Sequence, residues 1–304
     1  MTTRINPLPR RDLTYVLITP ARNEEAYIEQ TLKSVVGQTV KPLRWVVVSD
    51  GSTDRTDEIV SRYAQAHPWI ELVRTPERVE RHFAGKVHAF NTGYTRLKGL
   101  QYDIIGNLDA DIAFESDYFA FLLRKFSENP QLGVGGTPFR EGTDQYDYRF
   151  ASIEHVSGAC QLFRRECFEA IGGYTPLKMG GIDLKAVMTA RMIGWQTRSF
   201  TEKTCQHTKK TQTGKNSKLR AIWKSGYHDY LMGSHVLFQA MRSGYHMTKP
   251  PFMLGGMSLF SGYMWALLTR PDRYVSKELG EFRKKEQVLR IKKLLKIGGS
   301  SCPG

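Results

Sequence analysis

Short apolar runs alternate with amphipathic stretches along the first half of the chain. Residues 14–18, Thr-Tyr-Val-Leu-Ile, are β-branched and aromatic, and the run stops at Pro20, which has no N–H for a sheet ladder; this predicts a strand. Over 24–38 the apolar residues Ile28, Leu32, Val35 and Val36 recur at helical spacing. Asn23 stands where an N-cap would, and Glu24, Glu25 and Glu29 lie near the positive end, so an amphipathic helix is predicted. Residues 43–48 predict a second strand, Thr53 or Asp54 a cap for a second helix to about residue 65, and 70–73 a third, weaker strand. A helix opens at 85–93, and 102–108 is a further strand. Alternation of this kind predicts an α/β fold built on a parallel sheet.

Polar motifs follow three of the strands. They read Thr19-Pro20-Ala21-Arg22-Asn23-Glu24-Glu25, then Ser49-Asp50-Gly51-Ser52, then Asn107-Leu108-Asp109-Ala110-Asp111. The carboxyl ends of strands are where open α/β sheets bind ligands. If the backbone turns between them, Asp109 and Asp111 can reach one hard divalent ion such as Mg²⁺ or Mn²⁺, which usually takes one or two carboxylates plus substrate phosphates. No G-x-x-x-x-G-K-[ST] loop, H-E-x-x-H helix or G-x-G-x-x-G turn is present, so ATPase, zinc protease and dinucleotide dehydrogenase readings have no local support.

Taken in this order and spacing, these segments resemble the family-2 glycosyltransferases of GT-A fold over roughly residues 14–210. The resemblance implies a mostly parallel, Rossmann-like sheet flanked by helices, with a helical basic C-terminal extension. It implies a metal-dependent inverting transferase of hexosyl type, moving one sugar from a UDP- or GDP-type donor to a saccharide or lipid-linked hydroxyl acceptor. Carried over residue by residue, Thr19, Pro20, Ala21, Arg22, Glu24 and Asp50 would hold the nucleoside. Lys86 would meet the diphosphate or sugar, Asp109 the ribose or metal, and Asp111 the metal. His207 would add a metal or phosphate contact. Asp183, ahead of Arg191-Met192-Ile193-Gly194-Trp195, falls on the catalytic-base position, and it could also cap the helix that follows it. Gly158, within 156–165, would allow close backbone approach on the acceptor side. The chain departs from the family in having Ser49 and Ile182 at positions that often carry Asp and Glu. The Q-x-x-R-W signature of processive synthases is missing, which favours single-sugar transfer.

The expected organisation is a catalytic domain over 1–210, with a nucleotide half at about 14–112 and an acceptor half at about 113–210, followed by a helical region over 211–304. Charge separates the two parts. Residues 1–200 hold 25 Lys and Arg against 24 Asp and Glu, and residues 201–304 hold 19 against 6. The uncharged stretch 250–269 is a candidate membrane span, a buried helix or an interfacial hairpin. Seven basic residues between Arg283 and Lys296 interleave with Leu289, Ile291, Leu294 and Leu295, the pattern of a basic helix on an anionic membrane face or of a solvated helix packed by one edge. The tail resembles that of bacterial polysaccharide-assembly transferases. Cys160, Cys167, Cys205 and Cys302 are too far apart for a C-x-x-C motif and read as reduced thiols. With no apolar signal region over 1–12, the expected location is the cytoplasm, peripheral on the membrane's cytoplasmic face.

Two alternatives belong to other classes. A sugar-nucleotide nucleotidyltransferase would show a Gly-rich basic loop after the first strand, where this chain is acidic. A nonenzymatic anion or nucleic-acid binder would explain the basic tail but leaves Asp50, Asp109, Asp111 and Asp183 without a purpose, since carboxylates repel phosphate. No nucleic-acid partner is therefore expected.

Overall fold

The computed structural model describes residues 12–77, 84–140, 152–208 and 215–298. The chain divides into two compact units, Met1–Lys210 and Thr211–Gly304.

In the first unit the elements run β1 (Tyr15–Ala21), α1 (Ile28–Val36), β2 (Arg44–Asp50), α2 (Thr56–Ala66), β3 (Ile70–Thr75), α3 (Ala84–Thr95) and β4 (Ile104–Leu108). Then come β5 (Ile112–Ala113), α4 (Tyr118–Glu128), β6 (Leu132–Gly136), β7 (Phe139–Arg140), β8 (Cys160–Arg164), α5 (Arg165–Ala170), α6 (Ile182–Met192), β9 (Gln196–Ser199) and β10 (Cys205–His207). Seven strands form one sheet in the order β3-β2-β1-β4-β8-β6-β9, and β5-β10-β7 form a small second sheet. In the large sheet β8 alone is antiparallel to its neighbours. The sheet crosses from the expected nucleotide half into the expected acceptor half without a break, because β4 pairs with β8.

Strands β1, β2 and β4 are buried almost throughout, as strands covered on both faces must be. One core gathers Tyr15, Trp45, Tyr118, Phe119 and Phe126, with the Tyr15 and Phe119 rings 4.9 Å apart. Elsewhere Phe90 of α3 meets Tyr174 edge to face at 4.9 Å. Helix α3 lies close on the sheet at Gly93, where a Cβ would come within 2.7 Å of Ile18 Cγ2 and 3.0 Å of Val48 Cγ2.

Several helix starts differ from expectation. Helix α1 begins at Ile28, and Asn23 does not cap it: at φ +54°, Asn23 points its Oδ1 to the Thr53 N–H at 2.8 Å, tying the loop after β1 to the loop after β2. Asp54 accepts from the Thr56 N–H at 3.0 Å and from the Glu25 N–H at 3.0 Å, so it serves both the start of α2 and the neighbouring loop. Helix α6 is preceded by Gly181 at φ +81°, which puts Asp183 inside the first turn and not at the cap.

The second unit is helical: α7 (Lys215–Leu231), α8 (Val236–Met247), α9 (Leu254–Thr269) and α10 (Lys277–Gly298). The glycines of the uncharged stretch are contact points. A Cβ on Gly262 would lie 2.0 Å from the Trp223 carbonyl oxygen, and one on Gly226 would lie 1.9 Å from that of Leu259, so α7 and α9 cross backbone against backbone. Helix α9 has 16 residues, and among the described residues no helix is long and apolar enough to cross a membrane. Helix α10 packs by the edge carrying Leu279, Arg283, Gln287 and Ile291. Arg283 donates to the Met232 carbonyl at 2.9 Å and Gln287 accepts from the His235 N–H at 2.7 Å, so polar contacts join buried Leu279 and Ile291 along this edge. Residues 1–11, Cys302 and the side chains of Leu294, Leu295 and Lys296 lie outside the described set.

Candidate active site

The direction of sheet growth reverses at β1, which pairs with β2 on one side and β4 on the other. The crevice beyond the carboxyl ends of such a pair is the binding position of open α/β sheets. Ala21, Asp50 and Asp109 follow or end the strands there.

On the β2 side, Asp50 is buried, and its Oδ1 accepts from the Thr75 hydroxyl at 3.2 Å. The turn beyond it needs glycine: Gly51 has φ +64°, and a Cβ there would lie 2.4 Å from Glu77 Cα. Pro20, Arg22 and Glu24 are half-buried on the loop after β1, and the Glu24 N–H donates to Thr56 Oγ1 at 2.8 Å. Ala21 is buried. Thr19 has no exposed surface, and its hydroxyl accepts from Trp45 Nε1 at 2.9 Å, so it supports the loop from beneath and presents nothing to the crevice. Its expected nucleoside contact is corrected on that ground.

The acidic turn after β4 is held on every side. The Asp109 N–H donates to the Ala159 carbonyl at 2.8 Å. Thr31, buried on α1, donates its hydroxyl to the Ala110 carbonyl at 2.8 Å and accepts from the Ile112 N–H at 3.1 Å. The Asp111 carbonyl accepts both the N–H and the hydroxyl of Thr208, at 2.9 and 2.8 Å. Sequence reasoning missed Thr31 and Thr208. Thr31 had a signal, being the polar residue on the buried stripe Ile28, Leu32 and Val35.

Antiparallel pairing of β5 with β10 sets Ile112 opposite His207 and brings His207 Nε2 within 3.4 Å of Asp111 Oδ2. Lys86, in the first turn of α3, forms an ion pair with Asp109. Burial pushes the Asp109 carboxyl above the ordinary carboxylate range; Lys86 pulls it back, and the charges of Asp111 and Asp183 push it up further. Asp109 therefore lies within electrostatic reach of both other carboxylates. Among the described residues no three His, Cys, Asp or Glu side chains group as a metal cage. The Asp111 and His207 pair is the donor set a divalent ion would find, which suits ions that complete their shell with substrate phosphates.

Asp183 approaches from α6. Its Oδ2 accepts the Gly158 N–H at 3.1 Å, and the Gly158 carbonyl accepts Asn107 Nδ2 at 2.7 Å. A side chain at position 158 would lie 3.0 Å from Asp183 Cβ, which is the close approach anticipated for this glycine. Behind it, Gln161 donates to the Val156 carbonyl at 2.8 Å and accepts from the Tyr174 hydroxyl at 2.6 Å. The fold thus gathers Asp109, Asp111, Asp183, Lys86 and His207, and it ends β2 with Asp50.

The family model described as Glycosyl transferase family 2 matches residues 16–177. Among curated proteins, the poly-beta-1,6-N-acetyl-D-glucosamine synthase of Staphylococcus epidermidis is 24% identical over 232 residues, 69% of this chain and 53% of the synthase. The synthase of that name from Staphylococcus aureus (strain COL) is 24% identical over 230 residues, with the same coverage of 69% and 53%. The chain spans about half the length of these curated relatives. Among solved structures, the mannosyltransferase PcManGT from Pyrobaculum calidifontis, in complex with GDP-Man and Mn²⁺, superposes with a TM-score of 0.59 at 19% identity, covering 99% of this chain and 92% of that one. S. aureus TarS 1-349 in complex with UDP-GlcNAc superposes with a TM-score of 0.53 at 14% identity, covering 83% and 72%. At such identities the likeness is one of fold, and that fold is GT-A.

Proposed function

Since the chain belongs to glycosyl transferase family 2, we propose that it moves a single sugar from a nucleoside diphosphate sugar to a hydroxyl acceptor, with inversion at the anomeric carbon. The observation that carries the reading is the convergence of Asp109, Asp111 and Asp183 at the sheet's switch point, with Lys86 and His207 beside them. The structure bound to GDP-Man and Mn²⁺ and the one bound to UDP-GlcNAc support a donor of GDP or UDP type.

In this reading Asp183 accepts the acceptor's hydroxyl proton as the new oxygen–carbon bond forms. Its Oδ2 is held by Gly158, and among the described residues no hydrogen-bond partner meets Oδ1, which takes the proton. The bond from the anomeric carbon to the diphosphate breaks on the opposite side, and the electron pair leaves on the phosphate oxygen. A positioned general base contributes about 10²- to 10⁴-fold in rate. Lys86 offers a cation to the departing diphosphate, and Asp50 and the loop after β1 receive the nucleoside. Asp111 and His207 would hold Mg²⁺ or Mn²⁺, which supplies positive charge against the leaving group when bound. The acceptor we favour is a lipid-linked saccharide in polysaccharide or glycoconjugate assembly, used in the cytoplasm.

Calorimetric titration with UDP and with GDP, each with Mn²⁺ and with chelator, tests the proposal on the native chain and on Asp111→Ala. Metal-dependent binding of one nucleotide, lost in the variant, is expected. Absence of binding to either nucleotide under every condition would overturn the donor site.

A further inference from the structure

The basic helix α10 is the element whose sequence most suggests a membrane contact, yet among the described residues the longest row of exposed apolar side chains in the second unit lies on α9. Leu254, Met257, Ser261, Trp265 and Leu268 follow one another at intervals of three or four and share one face of that helix. The four apolar members are between 55% and 73% exposed, and Phe252 just ahead of the helix is exposed as well. The opposite face, Gly255, Gly256, Leu259, Gly262, Tyr263 and Ala266, is the buried one. Helix α9 thus packs through its small residues with Leu259 and Tyr263, and leaves four of its large ones exposed along one stripe.

We infer that this stripe docks on an anionic lipid bilayer, with α9 lying along the interface. Three observations select that occupant. First, the helix is about 24 Å long at 1.5 Å per residue, short of the ~30 Å hydrocarbon core, so it suits burial along its side and not end to end. Second, exposed Lys249 and Arg270 bracket the helix, and no acidic residue occurs from 249 to 271. Long basic side chains at both ends of an interfacial helix reach the headgroups. Third, the unit that carries the stripe holds 16 Lys and Arg against 5 Asp and Glu. Pairing two copies through this face would set like charges against each other, whereas an anionic surface complements them. Trp265 and Phe252 add the aromatic character typical of membrane interfaces. The inference stands apart from the donor reading, since it uses no residue of the crevice.

Flotation of the full chain with vesicles of phosphatidylcholine, alone and with phosphatidylglycerol added, tests it. The native chain should partition onto the anionic vesicles and less so at high salt. Met257→Ser, Trp265→Ser and Leu268→Ser together should weaken that partition by at least about tenfold, because apolar burial anchors the helix. All three sites are open, so the melting temperature should hold. If the triple variant melts early, Leu268→Asp alone carries the same expectation. Undiminished binding by the folded variants would overturn the inference. So would binding that is lost in Lys284→Glu with Lys285→Glu but kept in the triple variant, and so would a native dimer that the triple variant dissociates while vesicles capture neither form.

Discussion

The backbone N–H of Gly158 donates to Asp183 Oδ2 at 3.1 Å, and the lack of a side chain at Gly158 is what lets the two come together, since a Cβ would lie 3.0 Å from Asp183 Cβ and 3.1 Å from Oδ2. The glycine thus aims the carboxylate as well as making room for it. Asn107 holds the same residue from the other side, through the Gly158 carbonyl.

Displacing that carboxylate should cost rate and spare donor binding. Gly158→Ala is expected to lower turnover by up to about 10²-fold, the scale of a misplacement near 1 Å. Asp183→Asn should lower it by about 10²- to 10⁴-fold. Steady-state kinetics beside nucleotide titration separates the two effects, and a folded Gly158→Ala enzyme with native turnover would detach this contact from catalysis.

Thr31→Val keeps the shape of the side chain but leaves the Ala110 carbonyl and the Ile112 N–H without their shared partner. Unpaired buried groups of this kind cost about 1–3 kcal/mol. Denaturant unfolding should report a loss of that order, with weaker metal-dependent nucleotide binding, and Thr31→Ser should recover both.

His207 lies 3.4 Å from Asp111 Oδ2 and gives a second, separable readout of metal use. His207→Ala should raise the Mn²⁺ concentration needed for half-maximal nucleotide binding while leaving binding in chelator unchanged. Equal Mn²⁺ dependence in the variant and the native chain would remove His207 from the metal.

Burial, the first cause, with Asp111 and Asp183 adding to it against the pull of Lys86, raises the Asp109 pKa in the folded chain. The fold therefore favours the protonated form. The stability this lends is complete below the unfolded value of about 3.9 and is lost as pH rises through the folded value. Melting temperatures across pH should show Asp109→Asn gaining on the native chain through that window and running parallel to it above. A constant offset at every pH would contradict the shift.

The described thiols should be inert. Cys160, Cys167 and Cys205 are free and buried, and burial pushes Cys167 up to about 12 and Cys205 up to about 11, with Cys160 raised well above its ordinary value. A thiol reagent at neutral pH should modify these three only in denaturant, because the thiolate is the reactive form.

Much of the molecule was legible in the chain. Apolar runs such as 15–18 and 45–48 could pair only inside a covered parallel sheet, and their hydrophobic period is local, so β1, β2 and β4 and the acidic residues at their ends could be read directly. Ordered motifs likewise pointed to the family. Contacts made by strand direction were not legible. Because β8 runs against β4, with Leu108 opposite Cys160, its first residues return to the carboxyl end of β4 and deliver Gly158 to Asp183. The pairing of β10 with β5 delivers His207 to Asp111 in the same way. The apolar stretch 250–269 could be seen as apolar, but only helix packing decided that its glycines are buried, with Gly262 against α7, and that Leu254, Met257, Trp265 and Leu268 face outward. Local periodicity specifies which residues seek burial; which partners they find is decided by non-local pairing, where geometry far along the chain sets the register.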